Sequence, residues 1–325
     1  MRLVRLSVLA SAALLTPLFG CTSDTDTDTQ PEPHVAYDGT PLVDGFDPPA
    51  PPDDALQLVS PIIRDVEPGA NRELCYYTKH ILSESTAFRA GQGFQHTGGH
   101  HVVVYWTTET EDEDIHECTE ADMTKLHVLS GGGAEAGNGI VNELPAGGAF
   151  HVPAGAQLVM NVHVLNASDK AVDTQAVANL YYGDESLAPL TSFYVTGTTL
   201  KVDPHAQGSF TTSCVAPRDF QVVRLLGHMH EWGSNLVITL DDGSGPEMVY
   251  DKPGSDEFSY NPPYIDYPTT APLVVKAGTT ITATCTYQNN EDKPLTFPTE
   301  MCAAFGYILG TEAEFGCSDN VWNNQ

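Results

Sequence analysis

The sequence predicts an all-β protein made of two antiparallel β-sandwich domains. Short segments with alternating apolar and β-branched residues follow one another, for example residues 101–106, 157–164 and 279–287. Gly, Pro, Asn and Asp separate these segments at the spacing of short strands, and no long segment has the period of a helix. The phrase VPAG at 152–155 and the similar VKAG at 275–278 each precede a strand, which indicates a similar architecture in the two halves.

The domain boundaries follow from chain length and composition. A chain of 325 residues is too long for one ordinary hydrophobic core, so two domains are expected. We place the first over residues 56–195 and the second over residues 196–325, with the join at 196–199. Residues 22–55 are rich in Asp, Thr and Pro and have no apolar period, which predicts a disordered tether.

The N-terminus has the pattern of an export signal. Arg2 and Arg5 precede an apolar segment over residues 7–19 that is too short to span a bilayer comfortably. The segment ends in Leu-Phe-Gly-Cys, which resembles a bacterial lipobox and predicts a lipoprotein signal peptide over residues 1–21 with lipidation at Cys21. An ordinary secretory signal followed by a chance cysteine is the alternative. Both interpretations predict export. Thr22 follows the cysteine in place of the aspartate associated with inner-membrane retention, which favours an anchor in the outer membrane or at the cell surface.

The charge balance limits the class of partner. The chain has 14 Lys+Arg against 43 Asp+Glu, for a formal charge of -29. Nucleic acids and anionic membrane surfaces would repel such a protein. The expected membrane contact is therefore the lipid anchor alone, and the expected partner is a small molecule.

The cysteines predict disulfides. Apart from Cys21, the chain has an even set of six, which suits three bonds in an oxidising compartment. Sequence spacing leaves their connectivity open, because six cysteines allow many pairings.

Two groups of residues have the chemistry of metal ligands. His228 and His230 are two residues apart on a predicted strand, so both side chains project from the same face. In isolation this pair could equally be a polar surface pair. The first half adds His100, His101 and the strand residue His163. Adjacent histidines face opposite ways on a regular strand, so binding of one ion by both requires a bulge, which Gly98-Gly99 permits.

The ligand types favour copper. Three imidazoles make an all-nitrogen site, and His228 and His230 together with the thioether of Met301 make a second, mixed site. A thioether is a soft ligand that suits Cu(I), and imidazole accepts both copper oxidation states. Zinc would prefer a carboxylate or a thiolate to Met301. The pattern therefore predicts a dicopper redox protein. Met229, between the two histidines, is expected to point into the core.

The ordered motifs resemble those of the copper type II, ascorbate-dependent monooxygenases, which include peptidylglycine α-hydroxylating monooxygenase and dopamine β-monooxygenase. The match runs from His-His at 100–101 through His163 and His-Met-His at 228–230 to Glu-Met-Cys at 300–302, and it covers about residues 70 to 318. The resemblance implies two β-sandwich domains facing each other across a cleft. It also implies an enzyme that uses O2 and a reductant such as ascorbate to hydroxylate an activated C–H bond.

The resemblance further implies residue roles. His100, His101 and His163 would hold an electron-transfer copper, and His228, His230 and Met301 an O2-binding copper. No conventional general base is implied. Asn161, two residues before His163, is a candidate support group for the first centre. The implied disulfides are Cys75–Cys118, Cys214–Cys317 and Cys285–Cys302.

Departures from the family pattern concern the substrate. Peptidylglycine enzymes grip a carboxylate at positions that correspond here to Leu226, Ala303 and Phe305. These apolar residues predict an apolar or aromatic substrate pocket. Two other functions stay open from the sequence: a surface copper-binding protein without turnover, and a structural, adhesin-like double sandwich.

Overall fold

The computed structural model describes residues 35–132, 139–254, 262–297, 299–311 and 314–323. The predicted signal peptide and Cys21 lie outside these residues. Within them, no helix has both the length and the apolar character needed to cross a membrane.

The first half of the chain consists of strands and one short helix. Their bounds are β1 Ala55–Val59, β2 Ile63–Val66, β3 Asn71–Ile81, β4 Thr86–Gln95, β5 Gly99–Thr107, β6 Asp114–Glu117, α1 Glu120–Met123, β7 His127–Gly132, β8 Val141–Glu143, β9 Gly148–Val152, β10 Gln157–Leu165, β11 Val172–Thr174, β12 Ala176–Tyr182 and β13 Ala188–Thr196. Helix α1 begins with a capping box, in which Thr119 and Asp122 bond to each other's backbone N–H.

Among the described residues of the second half, the regular elements are all strands. Their bounds are β14 Lys201–Val202, β15 Gln207–Val215, β16 Phe220–His228, β17 Gly233–Asp241, β18 Glu247–Pro253, β19 Tyr264–Asp266, β20 Leu273–Val275, β21 Thr280–Gln288, β22 Leu295–Thr296, β23 Ala303–Leu309, β24 Glu314–Ser318 and β25 Val321–Trp322. The predicted all-β class is confirmed.

Two hydrophobic cores lie between sheets. In the first half, a sheet ordered β6-β3-β10-β5-β7 packs on β1, β12, β4 and β9, and side chains such as Leu158, Met160 and Leu180 fill the space between them. In the second half, the sheet β15-β21-β17-β18 packs on β13, β23 and β16, around Leu236, Ile238 and other apolar residues. Burial of these alternating side chains is the main stabilising term in such a sandwich.

One sheet passes through both halves. Its strands are ordered β1-β12-β4-β9-β13-β23-β16-β19, so β13 bonds to β9 of the first half and to β23 of the second. Most pairs are antiparallel, and β13 forms parallel pairs with β9 and β24. The proposed domain boundary at residue 195 falls near the end of β13 and stays a prediction.

The predicted tether is shorter than expected. From residue 35 the chain packs on the body, and Ala36, Leu42, Val43 and Phe46 are buried against Val59 and Val177. The buried amide of Gln175 ties this segment down, since Nε2 donates to Pro41 O at 3.0 Å and Oε1 accepts from Val43 N at 3.1 Å. A few apolar residues without periodicity leave no recognisable pattern in sequence, so the prediction of disorder was wrong for residues 35–55.

Candidate metal centres

A β-bulge brings His100 and His101 to one place. Opposite β10, His101 pairs with His163 and Gly99 pairs with Val164, so His100 is the additional residue. Gly98 has a φ of 82°, a left-handed conformation that glycine adopts without strain. The bulge expected from the two glycines is confirmed, and the two adjacent imidazoles therefore converge.

The three imidazoles of the first half meet through their Nδ1 atoms. His100 Nδ1 lies 3.0 Å from His163 Nδ1, which lies 3.4 Å from His101 Nδ1. Nitrogens bound to one ion at about 2.0–2.1 Å in a tetrahedral arrangement lie about 3.3 Å apart. The donor set therefore fits a single metal ion.

Two polar residues support this first centre. His163 Nε2 donates to Asn71 Oδ1 at 2.6 Å, which leaves the lone pair of Nδ1 available to a metal. The side chain of Gln95 donates from Nε2 to the carbonyls of His101 and His163, at 3.0 and 3.2 Å. Asn161, the candidate from sequence, instead donates to Cys118 Sγ at 3.1 Å. Asn71 is far from every candidate ligand in sequence, and Gln95 is five residues before His100 but belongs to no recognised motif, so no sequence signal marked them.

The two histidines of the second half also converge. Strand β16 ends at His228, so His230 lies just beyond the strand and not on it as predicted. Their Nε2 atoms are 3.1 Å apart. His230 Nδ1 donates to the carbonyl of Thr299 at 2.9 Å, which leaves the Nε2 lone pair for a metal. Met229 is 6% exposed and lies in the core, as expected.

The backbone of Met301 is held close to the same place. Glu300, which is completely buried, accepts hydrogen bonds at Oε1 from the backbone N of both His230 (2.6 Å) and Met301 (2.8 Å). Tyr287 donates from its hydroxyl to Met301 O at 2.8 Å. Cys302, the next residue, is bonded to Cys285 on β21. Glu300 was part of a recognised motif, but its role was not predicted.

Burial keeps the imidazoles of His101, His163 and His228 neutral. It lowers the pKa of His101 to about 3, with smaller effects from His163, His100, His228 and His230. Burial and then His230 lower the pKa of His228 to about 3, and burial and then His100 lower the pKa of His163 to about 4. Neutral imidazole is the form that binds a metal.

The predicted pocket residues share one face of the sheet with His228. Leu226 and His228 alternate with buried residues along β16, and they pair with Phe305 and Ala303 on β23. The rings of His228 and Phe305 are 5.7 Å apart. Of these residues, Leu226 also lines a cavity of about 160 Å³, whose lining is mixed and includes Arg224, Asn142 and Tyr264.

The six cysteines of the body form three disulfides, in the pairs that the resemblance implies. They are Cys75–Cys118, Cys214–Cys317 and Cys285–Cys302. Three disulfides indicate an oxidising compartment.

Comparisons with known proteins add little. No protein-family model and no curated protein matches the chain. The major capsid protein P2 from Bacteriophage PM2 is 7% identical over 78% of this chain and 97% of its own, with a TM-score of 0.32. PNGase F, a glycosylasparaginase from Flavobacterium meningosepticum, is 10% identical over 84% of this chain and 100% of its own, also with a TM-score of 0.32. Similarity at this level supports no inference about function.

Proposed function

We propose that this protein is a dicopper monooxygenase that uses O2 and a reductant such as ascorbate to hydroxylate an activated C–H bond. The observation that carries the proposal is the convergence of two imidazole sets. Three Nδ1 atoms meet in one half, and two Nε2 atoms meet beside the segment that contains Met301 in the other.

The residues fit copper by their chemistry. His100, His101 and His163 would hold one ion, and His228, His230 and Met301 the other. Copper supplies one-electron transfer and O2 activation when bound. The chain's own contribution is to keep the imidazoles neutral and oriented. Asn71 and Thr299 do so by accepting the N–H of His163 and of His230.

The proposed reaction balances with the reductant included. One atom of O2 enters the C–H bond as a hydroxyl group, and the other leaves as water. Two electrons and two protons come from the reductant, for example from two ascorbate molecules that each give one electron. The chain needs no general base for this balance.

The proposed substrate is small and apolar or aromatic. Leu226, Ala303 and Phe305 lie on the same face of the sheet as His228, where a carboxylate-binding enzyme would need a cation. The buried cation of the same strand, Arg224, is paired with Asp266 through two bonds of 2.6 and 2.7 Å.

The proposed location is outside the cytoplasm, on a lipid anchor at Cys21. The three disulfides support an oxidising compartment. Mass spectrometry of the mature N-terminus would distinguish a lipidated cysteine from a plain secretory cleavage.

Copper content and turnover test the function. The protein is expected to bind two copper ions, to consume O2 with ascorbate in the presence of apolar substrates, and to form products that carry one additional oxygen atom. Met301→Ala should abolish turnover while it reduces total copper by one equivalent at most. A protein that binds two copper ions but never reoxidises in air, with any substrate tried, would instead be a copper-binding protein without turnover. A copper-free protein would favour the structural adhesin.

A further inference from the structure

We infer that Glu300 is a positioning residue that holds the histidine arm and the methionine arm of the second centre in one frame. The inference rests on the proposed function, because it assigns Met301 to the same centre as His228 and His230. Here the histidine arm denotes residues 228–232 and the methionine arm denotes residues 299–302.

The contacts of Glu300 reach both arms. Oε1 accepts from His230 N at 2.6 Å and from Met301 N at 2.8 Å, and Oε2 accepts from Trp232 N at 3.2 Å. Its side chain is completely buried, so these backbone donors satisfy the carboxylate in place of water. The two arms are 70 residues apart in sequence, and Glu300 ties them together beyond the last pair of β16 with β23, His228 with Ala303.

A carboxylate suits this role better than its neutral isostere. It has two acceptor oxygens and no donor, so it can serve three N–H groups at once. A glutamine would direct its own NH₂ at one of them, most directly at Trp232 N. Hydrogen bonds to a charged acceptor are also shorter and stronger than neutral ones.

Two other contacts fasten the methionine arm, and a third links it to the histidine arm. Tyr287 and the Cys285–Cys302 disulfide fasten the methionine arm to β21. His230 Nδ1 adds one bond to Thr299 O. Glu300 adds bonds to the backbone on both sides, so it sets the separation of a weak thioether ligand from the two imidazoles. A weak ligand depends on such positioning more than a strong one.

The test compares Glu300→Ala and Glu300→Gln with wild type. X-ray absorption counts sulfur neighbours of Cu(I), and competition with a chromophoric Cu(I) chelator measures affinity. Glu300→Ala should lose the sulfur neighbour and weaken Cu(I) binding at the second centre by about 10–100-fold, with Glu300→Gln in between. The three-histidine centre should keep its copper. If Glu300→Ala does not fold, the comparison of Glu300→Gln with wild type alone tests the inference.

Gln175→Ala is the matched control. Gln175 is also completely buried and makes three hydrogen bonds to backbone groups, but these lie far from both centres in the chain, at Pro41, Val43 and Ser60. The Gln175→Ala substitution should lower the unfolding temperature and leave the sulfur neighbour in the X-ray absorption spectrum unchanged. An unchanged sulfur signal and unchanged Cu(I) affinity in both Glu300 variants would overturn the inference.

Hydrogen exchange separates this inference from the proposed function. If wild-type protein has no sulfur neighbour at copper, the proposed methionine centre fails. Hydrogen exchange of the metal-free protein then tests whether Glu300 holds the two arms together. Faster exchange of the backbone amides in both arms of Glu300→Gln than in wild type supports the positioning role, and unchanged exchange in either arm contradicts it.

Discussion

The Nε2 atom of His163 donates a hydrogen bond of 2.6 Å to Asn71 Oδ1 across the pair of strands β10 and β3. This bond selects the tautomer in which Nδ1 carries the lone pair, and Nδ1 is the atom that faces His100 and His101. The support of a metal ligand by a neutral acceptor of this kind is a general feature of metal sites.

Replacement of Asn71 should therefore weaken the first centre. Asn71→Leu is expected to lower copper affinity there by about 10–100-fold, because the ring of His163 loses its fixed orientation. A copper titration that resolves the two centres as separate steps measures this affinity. Asn235→Leu, which removes an exposed amide bonded to Asp251 in the other half, is the control and should leave the titration unchanged. Equal affinities of Asn71→Leu and wild type would refute a supporting role.

Removal of the long disulfide and removal of the short one should affect stability and copper binding differently. Chain-entropy estimates give about 3 kcal/mol for a loop of about 15 residues and about 4.7 kcal/mol for one of about 100. The Cys214–Cys317 bond spans 103 residues and the Cys285–Cys302 bond spans 17. Paired serine substitution of the longer bond should cost more free energy of unfolding. Substitution of the shorter bond should disturb copper at the second centre more, because Met301 adjoins Cys302. Urea unfolding and Cu(I) affinity of both variants check this, and a reversed order for copper would count against the assignment of Met301.

Gly99 should be required for the bulge. A Cβ at this position would lie 2.5 Å from Gln95 Cβ and 2.9 Å from His96 O, so Gly99→Ala displaces the side chain that braces His101 and His163. We expect about 1–3 kcal/mol of destabilisation and loss of copper from the first centre. Gly155→Ala is the control, since its φ of 83° makes it strained but a Cβ there meets nothing within 4 Å. It should lose stability and keep copper, and a copper-replete Gly99→Ala would disprove the requirement.

The metal-free protein should lose stability as pH falls through the acidic range. The pKa of His101 and of His228 is lowered to about 3, and that of His163 to about 4, chiefly by burial. In the unfolded chain these groups take up protons below about pH 6.5. The unfolded state therefore binds more protons between about pH 6.5 and pH 4, and the free energy of unfolding decreases as pH falls through this window.

Urea unfolding at pH 7, 5.5 and 4 measures the slope of the free energy of unfolding against pH. His101→Gln should reduce the slope, because one titrating group is removed. A slope that His101→Gln does not alter would show that other groups cause the acid sensitivity.

Much of the candidate site could be predicted because its residues are local signals. The adjacent glycines before His100 and His101 predicted the bulge, and the alternation along β16 predicted that Met229 is buried. The end of β16 at His228 was not predicted, since the turn after it is held by Glu300 from a distant segment. The packed segment from residue 35 was not predicted either, because its apolar residues are held by Gln175 and Val177, far away in sequence.

By itself, the sequence determined the all-β class, through the alternation of its strands, and it predicted the types of candidate ligand, through its histidines and Met301. Only the tertiary structure decided which atoms meet. The choice of Nδ1 in the first centre and Nε2 in the second depends on Asn71 and Thr299, and the frame around the second depends on Glu300. Hydrogen bonds between strands and loops that are tens of residues apart make these choices, and such contacts leave no pattern in the order of residues along the chain.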